Sequence, residues 1–283
     1  MCQLLGMNCN TPTDITFSFS GFAQRAGVTD HHSDGGGIAF FEGHQDGTPH
    51  AQPDKGLRLY VDNQAASTSP VAQLIRQYPI QSRHVIAHIR KATQGPIALE
   101  NCHPFVRELW GRYWVFAHNG NLENFQPHLH SHFHPVGDTD SERAFCWLLQ
   151  ELRRRFGSVE PARPELFAAL QELTLAIAAY GEFNFLLSNG DRLFAHASTK
   201  LAYIVRQAPF AQAHLKDQDV TVDFSEVTTP NDRVAVIATV PLTDNEAWTV
   251  MPPGSLWCFE DGWPVETLAT RPGPVKPTTC TAA

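Results

Sequence analysis

The sequence predicts one α+β domain in which two β-sheets are flanked by helical layers. Three observations carry this reading. Strand-like stretches cluster toward both ends of the chain, with two amphipathic helical stretches between them. Hydrophobic residues make up 42% and charged residues 18% of the 283 residues, ample material for a core. No internal repeat and no clear domain boundary interrupts the chain before about residue 268.

Each element has its own signal. Gln3 to Met7 is an apolar first strand. Thr11-Pro12-Thr13-Asp14 reads as a turn into a short helix that ends near Gly27. Asp30 to Gly37 is a loop whose glycines allow close backbone approach to a ligand, or a plain hairpin turn. Ile38 to Phe41 and Leu57 to Val61 are strands around a polar loop at 44–56. Ser69-Pro70 opens a helix with Pro at its first position, and Val71, Leu74, Ile75 and Tyr78 form one apolar stripe. In His84 to Arg90, Val85, Ala87 and Ile89 share one strand face, and Arg90 falls at the C-terminal end. Tyr113 to His118 is a strand that runs into Asn119-Gly120-Asn121. Two strands thus end in polar clusters, as expected where a sheet edge supports a site.

Thr139 and Glu142 have capping-box spacing at the start of a helix that stops near Gly157. Ala144, Phe145, Leu148, Leu149 and Leu152 lie on one face of it. Pro164 opens a second helix to about Tyr180, with Leu166, Phe167, Leu170, Leu173 and Ile177 inward. Phe183 to Leu187 and Leu193 to Ala197 form a hairpin around Ser188-Asn189-Gly190-Asp191. Leu201 to Arg206, Val220 to Phe224, Arg233 to Val240 and Ser255 to Phe259 continue the β pattern. Residues 269–283 are Pro/Thr-rich without apolar periodicity and are expected to be a disordered tail.

Composition excludes several classes. The net charge of -8 argues against nucleic acid and anionic membrane surfaces as partners. No apolar run reaches the roughly 18 residues of a membrane span, and the N-terminus lacks the pattern of a secretory signal. The six cysteines are scattered without C-x-x-C pairs, as in a reduced cytoplasmic protein.

The chemistry starts at Cys2. Once Met1 is removed, Cys2 carries a thiol and a free α-amine, which titrates near about 7.7–8.0 and so suits a general base. The thiolate is the nucleophile, so one residue supplies both partners. With Met1 attached, the Cys2 nitrogen is an amide and that base is missing. Taken alone, Cys2 reads rather as a small buried hydrophobe in a first strand, and it is the rest of the chain that reverses this.

Further polar clusters follow: H-I-R-K-A-T at 88–93, C-H-P at 102–104, A-H-N-G-N at 117–121 and G-D-T-D-S-E at 137–142. In this order, headed by Cys2, they resemble the class II glutamine amidotransferases, which are N-terminal-nucleophile hydrolases. M-C-x-L-L-G-M, A-L-E-N-x-H-P-F, E-L-W-G-R and A-F-C-W-L-L bring the resemblance nearest to the single-domain YafJ-type proteins. It covers residues 1–268 and implies a four-layer αββα sandwich.

The resemblance also implies roles. Cys2 would be the nucleophile and its α-amine the base. The Asn119 side-chain amide and the Gly120 backbone N–H would form the oxyanion hole. Arg90 and Thr93 would hold the α-carboxylate of glutamine, and Asp140 its α-ammonium. A guanidinium suits a carboxylate, and an acid at a helix N-terminus stays ionised to pair with an ammonium. Considered singly, Arg90 is also a strand-end surface charge, Asn119-Gly120 a turn, and Asp140 a first-turn acid. His88, His103 and His118 are read as structural hydrogen-bonders around the site.

The implied reaction is hydrolysis of the glutamine γ-amide through a γ-glutamyl thioester, without metal or organic cofactor. A separate ammonia-accepting protein is the expected partner, unless the enzyme simply hydrolyses its substrate. An alternative is a γ-glutamyl amide or peptide hydrolase acting on a compound other than glutamine. A third is an idle binding subunit, against which Cys2, Arg90, Asn119, Gly120 and Asp140 all argue. Two features depart from the family pattern. The loop that usually reads D-G-W-G is here Asp34-Gly35-Gly36-Gly37, expected to be more mobile without its aromatic ring. His128, His130, His132 and His134 alternate, and read as an exposed histidine-rich loop rather than a metal site.

Overall fold

A computed structural model describes residues 2–27, 29, 34–43, 55–65, 68–77, 80–92, 94–130 and 132–270. The side-chain alternation of the first strand decides the layering. Leu5 and Met7 enter one apolar core and Leu4 enters another, so this strand is covered on both faces.

In chain order the elements are β1 Gln3–Asp14, α1 Thr16–Gln24, β2 Gly36–Glu42, β3 Gly56–Asp62, α2 Pro70–Gln77 and β4 Gln81–Ile89. Next come β5 Phe105–Leu109, β6 Arg112–Leu122, α3 Asp140–Phe156 and α4 Arg163–Ala178. The remaining strands are β7 Gly181–Ser188, β8 Leu193–Ala197, β9 Ala202–Gln207, β10 Gln212–His214, β11 Thr221–Asp223, β12 Arg233–Ala238, β13 Thr249–Val250, β14 Ser255–Glu260 and β15 Trp263–Ala269. One large sheet has the order β13-β9-β12-β1-β4-β2-β3, the second has β15-β14-β8-β7-β6-β5, and β10 and β11 pair in a small third sheet. Their strand pairs are antiparallel.

Three cores separate four layers. Leu4, Ile86, Ala117, Leu186 and Ile237 fill the space between the two sheets. Phe19, Phe22 and Ile75 bring α1 and α2 onto the outer face of the first sheet. Phe145, Leu149, Phe167 and Leu170 pack α3 and α4 onto the second. Burying each such side chain contributes about 1.5–3 kcal/mol, enough for the apolar stripes of α3 and α4 to dictate which face turns inward. This is the αββα sandwich.

Several elements differ from expectation at their edges. β1 continues through the Thr11–Asp14 stretch, with a change of register between Asn8 and Thr13 that absorbs Pro12. On α2, Ile75 and Ala72 are buried but Leu74 is 53% exposed, because the helix rests on only one edge of its stripe. The expected roles of Val71 and Tyr78 there lie outside the described side chains. β15 was not expected as a strand. It reaches Ala269, and Thr270 is buried against His196, so these two residues belong to the fold rather than to a tail. Residues 271–283 lie outside the described ones. No helix of the described residues is long and apolar enough to cross a membrane.

Candidate active site

β1 is flanked by β4 and β12, so Cys2 emerges beside the C-terminal end of β4. There the Lys91 N–H donates to Cys2 Sγ across 3.2 Å, and Sγ lies 3.3 Å from the Lys91 carbonyl oxygen. Cys2 is half-buried. Burial pushes its thiol pKa up, while the Lys91 N–H, the N-terminal charge and Arg90 pull it down. Burial is the largest of these effects, so the thiol needs a nearby base to ionise near neutral pH.

Asn119 comes from the other sheet. It lies within β6, opposite Asn184 on β7, and not in a turn. Its side-chain Nδ2 donates to the Cys2 carbonyl oxygen at 2.6 Å and, less closely, to Thr239 Oγ1 at 3.4 Å. Asn119 is 1% exposed and its Oδ1 has no hydrogen-bond partner. A buried acceptor without a donor is costly, which marks this atom as a place where a donor belongs. Asn184 holds Asn119 in turn: its Nδ2 donates to the Asn119 carbonyl at 3.0 Å, while its Oδ1 accepts from Ser198, Thr199 and Lys200 N–H groups. Gly120 follows. A Cβ there would collide with the Glu182 carbonyl oxygen, so only glycine fits.

Arg90 is buried. Its guanidinium donates to the carbonyls of Gln94, Gly95 and Pro96, at 3.0, 3.4 and 3.1 Å. It therefore shapes the 94–96 loop and is not a surface charge. Thr93 lies outside the described residues. The described part of the glycine loop is tied to the same place. Asp34 Oδ2 accepts from Ala92 N–H at 2.8 Å, and Gly35 oxygen accepts from Arg90 N–H at 2.7 Å. A Cβ at Gly36 or Gly37 would strike the His88 or Tyr60 carbonyl oxygen, so glycine is what lets this backbone close in.

Asp140 opens α3. Its Oδ2 accepts from the Leu122 N–H at the end of β6, at 2.8 Å. Its Oδ1 has only a long 3.4 Å contact with Ser141 Oγ. Ser141 instead sits 2.8 Å from His118 Nδ1, whose Nε2 is 3.0 Å from the Glu182 carbonyl oxygen. A carbonyl only accepts, so Nε2 carries the proton and Ser141 donates to Nδ1. Burial lowers the His118 pKa although Asp140 raises it, and burial drives His103 well below its ordinary value. His103 Nδ1 accepts from His118 N–H, and His88 Nε2 is 3.2 Å from the His118 carbonyl oxygen. These three histidines thus act as hydrogen-bonding supports.

The structure brings Cys2, Arg90, Asn119, Gly120 and Asp140 to one end of the two sheets through short hydrogen-bonded links. Gln94 Nε2 adds a bond of 2.7 Å to Asn121 Oδ1 across the same end. Sequence reasoning missed Asn184, Thr239 and Asn101. Asn184 left a signal as a single amide in the apolar run Phe183 to Leu187, and Asn101 stands in the quoted A-L-E-N-x-H-P-F stretch without a role of its own. In the histidine run, His128 and His130 place their Nδ1 atoms 3.1 Å apart. Among the described residues no group of three or more His, Cys, Asp or Glu side chains forms a metal-sized cluster.

A sandwich with a cysteine at the start of its central strand, facing an Asn-Gly pair on the second sheet, defines the architecture of an N-terminal-nucleophile enzyme. The comparisons agree. The family model described as "Glutamine amidotransferases class-II" matches residues 1–282. A Haemophilus influenzae protein provisionally named as a glutamine amidotransferase is 53% identical over 96% of this chain and 88% of its own. YafJ of Escherichia coli K12, named in the same provisional way, is 50% identical over 92% of this chain and 98% of its own. The crystal structure of a predicted glutamine amidotransferase from Pseudomonas aeruginosa aligns with TM-score 0.72 and 44% identity, covering 94% of this chain and all of that one. The chain belongs to the class II glutamine amidotransferases.

Proposed function

We propose that this protein hydrolyses the γ-amide of glutamine, or of a related γ-glutamyl compound, through a thioester on Cys2. The observation that carries the reading is the junction of Cys2 with Asn119. The amide donor grips the nucleophile's own carbonyl oxygen, the nucleophile's sulfur rests on the Lys91 N–H next to Arg90, and Asp140 is tied to Leu122 three residues beyond Asn119.

Removal of Met1 frees an α-amine on Cys2. That amine takes the thiol proton, and the thiolate attacks the side-chain amide carbon of glutamine. Charge develops on the amide oxygen. Asn119 Nδ2 and the Gly120 N–H receive it, the weak 3.4 Å bond to Thr239 being the one that yields. The ammonium on Cys2 then returns a proton to the nitrogen leaving group as the C–N bond breaks. Water attacks the resulting thioester and releases glutamate and the thiol. The freed amine is also a donor on the very residue Asn119 grips, which suits the unpartnered Asn119 Oδ1.

At the other end of the substrate, Asp140 Oδ2 is anchored by Leu122 N–H, which leaves Oδ1 for the α-ammonium. Arg90 spends part of its five-donor fork on the loop carbonyls, and with Thr93 binds the α-carboxylate.

Intact-mass measurement of the purified protein, before and after treatment with 6-diazo-5-oxo-norleucine, tests this directly. The expected result is a chain lacking Met1 that gains one adduct on Cys2, together with glutamate release from glutamine or a γ-glutamyl peptide. A processed chain that takes no adduct and turns over neither substrate would sink the reading.

A further inference from the structure

The two grips proposed for the γ-glutamyl head, Arg90 and Asp140, stand on different parts of the fold. Arg90 directly follows β4 of the first sheet, and Asp140 begins α3 outside the second. Binding an α-carboxylate and an α-ammonium on one carbon demands a fixed spacing between them. Some group must set that spacing.

We infer that Asn101 is that group, a positioning residue that sets substrate specificity at the α-carbon. The inference rests on the reading of Arg90 and Asp140 given above. Asn101 ends the short 3-10 turn Leu99–Asn101 and is fully buried. Its Nδ2 donates to the Pro96 carbonyl oxygen at 3.2 Å, the same oxygen that accepts from Arg90 at 3.1 Å. Its Oδ1 accepts from Asp138 N–H at 2.9 Å, two residues before Asp140. One planar amide therefore joins the loop that Arg90 holds to the lead-in of the helix that carries Asp140.

The surroundings are shaped for this amide. A Cβ at Gly137 would collide with Asn101 Oδ1, and one at Gly95 would press on Asn101 Nδ2 at 3.0 Å. Both flanking loops thus carry glycine where they meet the amide faces. The Glu142 carboxylate accepts from the Val136 and Gly137 N–H groups at 3.0 and 2.8 Å. The segment before α3 is thus held by Glu142 at residues 136 and 137 and by Asn101 at residue 138. Among the described residues no other side chain hydrogen-bonds both the 94–96 loop and that segment, although the Thr139 methyl group lies close to Gly95. Asn101 hydrogen-bonds to Pro96 and Asp138 and to neither Cys2 nor Asn119, so it acts on substrate placement and not on the bond-breaking step.

The experiment compares wild type with Asn101→Ala and Asn101→Asp, using L-glutamine, D-glutamine and glutaramate, which lacks the α-ammonium. The best γ-glutamyl peptide replaces glutamine if that is the better substrate. The expected outcome for Asn101→Ala is a KM for the L-substrate raised about tenfold or more, with kcat changed only a few-fold. The preference for L- over D-glutamine and over glutaramate should fall by a similar factor, while iodoacetamide still alkylates Cys2 at close to the wild-type rate. A destabilised but correctly spaced site would lose activity without losing that preference. If Asn101→Ala fails to fold, Asn101→Asp decides, since it keeps the acceptor toward Asp138 and loses the donor toward Pro96. Wild-type KM and wild-type chiral preference in whichever variant folds would overturn the inference. A wild type that turns over no γ-glutamyl substrate would instead overturn the reading of the site, and this inference with it.

Discussion

The side-chain amide of Asn119 donates to the carbonyl oxygen of Cys2 across 2.6 Å and 117 residues of sequence. With the longer contact to Thr239 and the His88 contact to the His118 carbonyl, this bond links the two sheets at the proposed reaction centre. It ties the Cys2 backbone directly to the proposed oxyanion donor.

Replacing Asn119 by alanine removes that donor and leaves the Cys2 carbonyl unpaired. The expected loss is about 10²–10³ in kcat, or roughly 3–4 kcal/mol of transition-state stabilisation. KM should change only a few-fold, since Asn119 does not grip the α-carbon groups. Steady-state kinetics against glutamine, or against the preferred γ-glutamyl compound, measures both. A kcat within twofold of wild type would remove Asn119 from the mechanism.

Two glycine variants separate collision from backbone strain. Gly120→Ala drives a methyl group into the Glu182 carbonyl and is expected to abolish turnover and lower the melting temperature. Gly111→Ala meets nothing within 4 Å but has φ +75°, so it should cost about 1 kcal/mol and leave activity intact. Thermal melts paired with activity assays test the contrast.

Thr139 caps α3 as its spacing implies, with Oγ1 accepting from the Glu142 N–H at 3.2 Å. The reciprocal half of the box is absent. Glu142 turns away to bind Arg107 and the Val136 and Gly137 N–H groups. Thr139→Ala should therefore cost about 1 kcal/mol. Glu142→Ala strands two backbone donors and a guanidinium, and should cost about 3–5 kcal/mol. Chemical denaturation gives both values, and equal costs would contradict this account.

Buried histidines are expected to make the fold acid-labile. Burial lowers the pKa of His84 to about 3 and that of His196 to about 4. In the unfolded chain both return to about 6.5, so below that pH the unfolded state binds more protons. Stability is full above about pH 6.5 and falls as pH drops toward 4, where His196 begins to protonate in the folded state. The His196 contribution is about 3 kcal/mol across that window. His196→Gln should flatten the fall between pH 6.5 and 4 in denaturation curves. An unchanged slope would show that other groups dominate.

Much of the architecture is legible in the sequence because its signals are local. The stripes Ala144, Phe145, Leu148, Leu149 and Leu152, and Leu166, Phe167, Leu170, Leu173 and Ile177, are all buried as their spacing requires. The alternation in His84 to Arg90 sends Val85, Ala87 and Ile89 into one core and Ile86 into the other. Leu74 misled because helical spacing marks a stripe without saying how wide its support is. Asn119-Gly120 is compatible with a turn in isolation, and only pairing with β7 makes it strand.

Motifs and periodicity depend only on neighbours along the chain, so the residue types at each candidate position, and their order, can be read from the chain alone. Which atoms those residues meet follows from three-dimensional packing. Asn184 against Asn119, Asn101 between Pro96 and Asp138, and Glu142 beneath the 136–137 backbone all join segments from separate elements. A hydrogen bond is set by about 3 Å of space and by angle, and nothing in a one-dimensional pattern encodes either.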